Sequence, residues 1–293
     1  MAEIGLLAAR LRVEERQLIE AFVRPDEAGS SYQAALLTPE SLKLALRPSE
    51  PLPWKLIVQR GIITRELAAL VALLNGSGVP TINRAATARL LSDRLALLRH
   101  LVFYGIPVPE TIATYGETAT LEAIAALGYP VLLQSVTVDP DFPSAAVTDL
   151  DAAEAIVEHR TTLGGEKAVL VQKLNPAVTR SLRLSIVGTS LVGIEERGDP
   201  VAEAPYALYG GDWTPFGQLA ASLTARLGSG TYVIEVDESS DGLVVTGAGN
   251  LVDFRGLAAG GIDVAGAIAE FAREQLALNQ VTDSSSAAGA SHD

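Results

Sequence analysis

Residues 127–149 of this 293-residue chain, LGYPVLLQSVTVDPDFPSAAVTD, admit few folds. An aliphatic, β-branched run at 130–136 follows Gly-Tyr-Pro. It meets a turn carrying Asp139, Pro140, Asp141 and Pro143, and a second short run returns at 145–148. Strand-forming residues bounded by Gly-Pro and Asp-Pro clusters predict a β-hairpin. Two more hairpins are predicted downstream. One pairs 182–187 with 190–194 around Gly188-Thr189, and the other pairs 231–236 with 243–246 around the turn 239–242.

The N-terminal part reads differently. Strands at 4–11, 56–58 and 79–82 alternate with helices at 13–22 and 64–75. The second helix carries Leu67, Leu70, Val71 and Leu74 at i, i+3, i+4 and i+7. Such β-α-β alternation predicts a small open sheet with helices on its faces. Helices are expected at 85–91 and 93–104, a strand at 109–114, and a helix at 120–127. Further along come a helix at 150–160, a strand at 168–174, a long surface loop at 198–217, and helices at 216–227 and 264–277. From Asp283 the chain is mostly Ser, Ala and Gly, which predicts a disordered tail.

Composition narrows the chemistry. Hydrophobic residues make up 48% of the chain, enough for real cores, and the absence of cysteine excludes disulfides and thiolate metal sites. His100, His159 and His292 are too few and too scattered for a histidine zinc site. No apolar run is long enough for a membrane span, and Glu3 interrupts any signal-like start, so a cytoplasmic protein is expected. The net charge of −13 is uneven. Residues 1–106 carry 13 Lys/Arg against 10 Asp/Glu, and residues 107–293 carry 9 against 25. The acidic part disfavours nucleic acid and other polyanions.

Seven strings, in order, carry a family resemblance: 58–65 (VQRGIITR), 80–94 (PTINRAATARLLSDR), 104–111 (YGIPVPET), 127–133 (LGYPVLL), 171–188, 242–254 and 261–272 (GIDVAGAIAEFA). Together they resemble the ATP-grasp ligases of the RimK type. The branch they resemble most is the LysX-like one, which joins α-aminoadipate to an acidic amino-group carrier protein in lysine biosynthesis. The resemblance implies a three-part α/β and α+β fold: an N-terminal open α/β sheet (1–92), a central α+β lid (93–175) and a C-terminal α+β domain (176–282), before the tail at 283–293. ATP would lie between the last two domains. Homo-oligomers are expected, because family members often assemble.

The resemblance also marks stations where the family holds ATP and magnesium, and this chain departs from most of them. Arg94, after Asp93, stands where the family has a phosphate lysine; arginine keeps the charge. Gln134 stands at the second phosphate lysine and cannot neutralise phosphate. The loop that closes over phosphates is glycine-rich in the family. Here it holds Asp139, Pro140 and Asp141, which would set two acids toward the phosphates. Gln172 and Lys173 replace the Gln-Glu beside adenine. Arg183 keeps its base, but Ser181 replaces the acid two residues earlier. The metal set becomes Glu235, Gly247 and Gly249, leaving Glu235 as the one carboxylate; Asp237 and Asp253 are near in sequence but out of register. No catalytic residue is assigned.

These substitutions lead to the expectation of an ATP-grasp body without ligase chemistry, binding a small molecule in the cleft or a protein partner. The alternative is an active ligase, with ATP and magnesium held by Arg94, Lys173, Arg183 and Glu235. It requires the alignment around Gly247 to be wrong, with Asp237 or Asp253 turned inward. In an active site Arg94, Arg183 and Glu235 should converge on one cleft with Asp139 and Asp141 pointing away. A third expectation, a structural subunit, requires Tyr206, Tyr209 or Trp213 to fill that cleft.

Overall fold

The computed structural model describes residues 3–25, 29, 31–46, 50–198 and 206–289. The N-terminal part contains β1 (Ile4–Leu7), α1 (Val13–Val23), β2 (Ala34–Leu37), β3 (Leu56–Gln59), α2 (Arg65–Gly76), β4 (Thr81–Ile82), α3 (Ala85–Ser92) and α4 (Arg94–Phe103). Its four strands form a parallel sheet in the order β2-β1-β3-β4. Thr64 starts α2 by accepting a hydrogen bond from the Leu67 amide at 3.3 Å, and Leu67, Ala68, Val71 and Leu74 are buried. Asp93 ends α3 and caps α4, accepting from the Ala96 amide at 2.9 Å. Strand β2 was not expected. It is a short edge strand whose alanines have weak strand preference, and its pairing with β1 decides its conformation.

The central part contains β5 (Thr111–Tyr115), α5 (Glu117–Leu127), β6 (Val131–Ser135), β7 (Ala145–Val147), α6 (Leu150–Glu158), a π-type turn (His159–Leu163) and β8 (Ala168–Lys173). The strands form an antiparallel sheet in the order β5-β8-β6-β7, and β6 and β7 form the hairpin predicted over residues 130–148. Its small core, with Ile124, Val131, Leu133, Val157 and Val171, is separate from the other two. This part is the lid of the fold.

The remaining elements are β9 (Arg180–Gly188), β10 (Ser190–Arg197), β11 (Tyr206–Leu208), α7 (Thr214–Leu227), β12 (Gly230–Ser239), β13 (Gly242–Gly249), α8 (Arg255–Ala259) and α9 (Val264–Gly289). The strands form an antiparallel sheet in the order β11-β10-β9-β12-β13. Two readings change here. Residues 198–217 are not one long loop, because β11 pairs with β10 and α7 begins at Thr214; residues 199–205 lie outside the described residues. Helix α9 runs past 277 to Gly289, where a disordered tail was expected from Asp283. A helix once nucleated gains one bond per added residue, so its backbone outlasts its apolar stripe. The last tail positions, 290–293, lie outside the described residues.

The N- and C-terminal parts share cores. Leu7 and Ile57 sit in one cluster with Leu184, Leu223 and Tyr232, and Ile4, Leu18 and Phe22 sit in another with Phe254, Ile268 and Phe271. Two buried asparagines fasten the joint. Asn83 donates to the Thr231 carbonyl at 2.8 Å and accepts from the Thr231 amide at 2.6 Å. Asn250 donates to the Gly61 carbonyl at 2.6 Å and accepts from the Ile63 amide at 3.1 Å. Each amide satisfies one backbone donor and one acceptor across the joint, which removes the penalty of burying them alone.

Candidate functional site

A cleft of about 300 Å³ lies where the end of β6, the start of α4, and the faces of β12 and β13 meet. Arg94, Gln134, Arg183, Glu235, Gly247 and Gly249 all line it. Strand register explains half of this grouping. Glu235 on β12 lies directly opposite Arg183 on β9 and Gly247 on β13, and Glu195 on β10 lies opposite Arg183. Residues directly opposite in an antiparallel sheet share a face. Glu195, Arg183, Glu235 and Gly247 therefore form one row across four strands. The side chain of Glu235 fills the space over Gly247: a Cβ there would come within 2.9 Å of its Oε2.

The cations of the cleft have protein partners. Arg94 donates from Nη1 to the carbonyls of Ser135 at 3.1 Å and Thr137 at 2.8 Å, while its own amide bonds the Val136 carbonyl. It thereby ties α4 to the end of β6. Burial pushes the Arg94 pKa below the usual arginine range, and the nearby Glu235 carboxylate opposes that push; the guanidinium stays charged. The guanidinium of Arg183 stacks over the Tyr206 ring at 4.6 Å. Gln134 donates to Ser144 Oγ at 3.2 Å.

Gln172 and Lys173 do not join this cleft. They line an adjoining opening of about 210 Å³ that also includes Asp237, and Thr246 borders both spaces. Gln172 is buried. Lys173 donates from Nζ to the carbonyls of Gly128 at 2.7 Å and Tyr129 at 3.2 Å, so its ammonium closes the turn before β6. Ser181, where the family places an acid, donates to Asp237 at 2.6 Å across paired strands.

The loop after β6 differs from its expectation. Asp139 accepts from the Asp141 amide at 2.9 Å, and neither acid lines the cleft. The loop is pinned to the lid by Arg160, which sequence reading missed. Arg160 donates to the Pro143 carbonyl at 2.8 Å and to Ser135 Oγ at 3.1 Å, and pairs with Glu166 at 2.7 Å. Tyr209 and Trp213 do not fill the cleft. Tyr209 packs edge-on against Phe216 at 5.6 Å, and Trp213 donates to the Tyr209 carbonyl.

Glu195 was also missed, because the predicted strand stopped at 194. It is fully buried, and neither of its carboxylate oxygens has a hydrogen-bond partner. Burial pushes its carboxyl above the usual range; Arg183 opposes the push and Asp253 adds to it. In acid, folded and unfolded chains both carry the proton. As pH rises past the ordinary glutamate pKa, the unfolded chain ionises and the folded chain resists, so stability falls until the raised pKa is passed. Glu195→Gln is therefore expected to raise unfolding stability by about 1–3 kcal/mol at neutral pH. The gain should vanish in acid, as urea melts at several pH values would show.

Residues 4–90 match the family model of the LysX preATP-grasp domain. The crystal structure of a RimK-domain ATP-grasp protein from Sphaerobacter thermophilus is 53% identical, with a TM-score of 0.84, over 92% of this chain and 99% of that one. This chain belongs to the RimK-domain ATP-grasp family. The glutamate–LysW ligase ArgX of Sulfolobus acidocaldarius is 28% identical over 134 residues, covering 45% of this chain and 48% of that protein. The chain thus matches about half the length of such curated relatives. The ATP-grasp ligase PsnB, in complex with a minimal precursor, shares the fold at 13% identity and a TM-score of 0.68, over 94% of this chain and 99% of that one.

ATP and magnesium fit these residues poorly. Magnesium takes oxygen ligands, commonly one or two carboxylates with phosphate oxygens. Glu235 is the sole carboxylate lining the cleft among the described residues, and Gly247 and Gly249 offer no side-chain oxygen. Among the described residues no cluster of three or more His, Cys, Asp or Glu could hold a metal, and no helix is long and apolar enough to cross a membrane.

Proposed function

We propose that this chain is a RimK/LysX-type ATP-grasp protein that has lost ATP and magnesium binding and acts as a non-catalytic binding protein for a small molecule or a protein partner. The observation that carries this reading is the glycine pair at the metal stations, with Glu235 folded over Gly247. Phosphoryl transfer depends on placing phosphates and neutralising their charge. Here Arg94 and Lys173 donate to backbone carbonyls, and Gln134 is neutral. The substitutions fall at most of the stations rather than at one, which favours loss of nucleotide chemistry over altered specificity.

The relatives suggest the kind of partner. ArgX is named for ligating glutamate to LysW, and PsnB was solved with a precursor. A carrier or peptide is thus the favoured protein partner. An acidic one would be repelled by residues 107–293 and received by the mildly basic N-terminal part.

A second reading, an active ATP-dependent amino-acid or carrier-protein ligase with rearranged ligands, draws on the convergence of Arg94, Arg183 and Glu235 with Asp139 and Asp141 outside the cleft. Phosphate release separates the two. With ATP, magnesium and each of the proteinogenic amino acids or an acidic carrier, the chain is expected to release no phosphate above the uncatalysed background. Sustained release with any acceptor would establish the second reading.

A further inference from the structure

A compartment of about 580 Å³ lies at the other end of the N-terminal sheet from the cleft. It takes Trp54 and Lys55, just before β3, and Val79 and Pro80, just before β4, whereas the cleft takes Ile62 and Ile63, which follow β3. The two spaces share no lining residue. Asn75, near the end of α2, forms one wall, and Gln275, Leu276 and Asn279 of α9 form another. The wall beside α2 is held by its own bonds. Asn75 donates to the Val79 carbonyl and to Thr81 Oγ1, both at 2.9 Å, and accepts from the Ala85 amide at 2.9 Å. Thr81 in turn donates to the Asn83 carbonyl at 2.7 Å. Together they fix the turn at Gly78, whose φ of 83° suits glycine.

Few charges face this space. Lys55 and Arg84 line it, and among the described residues no Asp or Glu does. Lys55 is matched by Glu3, which its ammonium meets at 2.6 Å and which does not itself line the space. Glu274, the neighbour of Gln275, is exposed and does not line it either. Arg84 has no ion pair among the described residues; its side-chain bond there is a 3.4 Å contact from Nη2 to Gln275 Oε1. The compartment thus presents one unmatched guanidinium, on a chain of net charge −13. Much of the remaining lining is apolar. Trp54 is seated on the sheet, where a Cβ on Gly5 would lie 3.5 Å from its Cδ1, and Pro80 and Leu276 face the same space.

These features limit the ligand. A cation would meet two positive groups and no carboxylate. A sugar-like molecule needs several free hydrogen-bonding groups, and the side chains of Asn75 and Thr81 are already committed. A phosphate dianion would bring two negative charges to one free cation, with Glu3 beside the other. An aromatic monocarboxylate satisfies the whole lining. Its ring packs against the apolar wall at Trp54 and Pro80, and the planar fork of Arg84 receives its carboxylate. We infer that this compartment binds an aromatic monocarboxylate, with Arg84 as the residue that reads the anion. The inference goes beyond the reading of the cleft and does not depend on it.

The test is fluorine NMR of the full chain labelled with fluorotryptophan. The chain has two tryptophans, and Trp213, which does not line the compartment, serves as the internal control; Trp213→Phe assigns the two signals. The probes are naphthoate, phenylacetate and indoleacetate, each titrated to millimolar concentration beside its neutral amide. At least one carboxylate is expected to shift the Trp54 signal saturably and leave that of Trp213 in place. Its amide is expected to bind about tenfold weaker or worse, the worth of one charge-assisted hydrogen bond. Arg84 is exposed, so Arg84→Gln should leave the fold intact; it is expected to lose a similar factor, and Arg84→Lys to recover part of it. The inference is overturned if no carboxylate shifts the Trp54 signal, or if the amides bind as tightly as the acids. Binding that ignores Arg84→Gln overturns it too, and tighter binding of phenyl phosphate than of any carboxylate overturns the choice of a monocarboxylate. None of these outcomes bears on the nucleotide cleft, so failure here is distinct from failure of the function proposed above.

Discussion

Arg160→Ala is expected to destabilise the protein by about 3–5 kcal/mol, the usual cost of removing one partner of a buried ion pair. Arg160 and Glu166 have side chains 5% and 8% exposed and pair at 2.7 Å, so the substitution leaves the Glu166 carboxylate buried without its cation. It also removes the donors to the Pro143 carbonyl and Ser135 Oγ, which hold the loop after β6 against the lid. Phe142 adds to the same seam: a Cβ on Gly164 would come within 2.7 Å of its ring. Urea melts would read the loss of stability, and limited proteolysis would read the freed loop as new cleavage near residues 139–143. Arg160→Met with Glu166→Leu should cost far less than Arg160→Ala alone, because it leaves no buried charge. If Arg160→Ala were nearly neutral and the loop stayed resistant, Arg160 would not be what pins it. The pin bears on function because the corresponding family loop closes over phosphates, whereas this one is stiffened by proline and bonded to the lid.

Restoring the missing stations should restore nucleotide affinity. The triple variant Gln134→Lys, Gly247→Glu, Gly249→Asn supplies one cation at the end of β6 and two oxygen ligands beside Glu235. Without metal it should be less stable than the parent. A Cβ at residue 247 comes within 2.9 Å of Glu235 Oε2, and two carboxylates brought together repel until one takes a proton or both take a metal. With magnesium and ATP the penalty becomes a gain, since a ligand that binds only the folded state stabilises it. ATP affinity is expected to rise at least about tenfold, or about 1.4 kcal/mol, and to depend on magnesium. A triple variant that binds ATP no better than the parent would place the defect elsewhere, with the pinned loop as the next element to change.

The residues differ in how readily sequence reveals them. Helix α2 was readable from the spacing of Leu67, Leu70, Val71 and Leu74, and all three hairpins from their turns, because those signals are local. The positions of Arg94, Gln134, Arg183 and Glu235 came from family resemblance, and they line one cleft. What their side chains do there was not readable. Arg94 bonds carbonyls 41 and 43 residues away, and Lys173 bonds carbonyls 44 and 45 residues away. Asn83 meets Thr231 across 148 residues. Arg160 looked like the last residue of a helix, and Glu195 lay one residue past the predicted end of a strand. No periodicity marks such residues, since their partners are set by how three sheets pack. The β2 edge strand was lost for a related reason: its pairing with β1, not its composition, makes it a strand.

The loss of nucleotide binding is the central claim, and calorimetric titration of the unmodified chain with ATP, with and without magnesium, tests it most directly. The arrangement of Glu235 over Gly247, with Arg94 and Lys173 bonded to backbone carbonyls, predicts no binding heat up to millimolar ATP in either condition. Micromolar binding that requires magnesium would contradict it and would favour the reading of a ligase whose ligands have been rearranged.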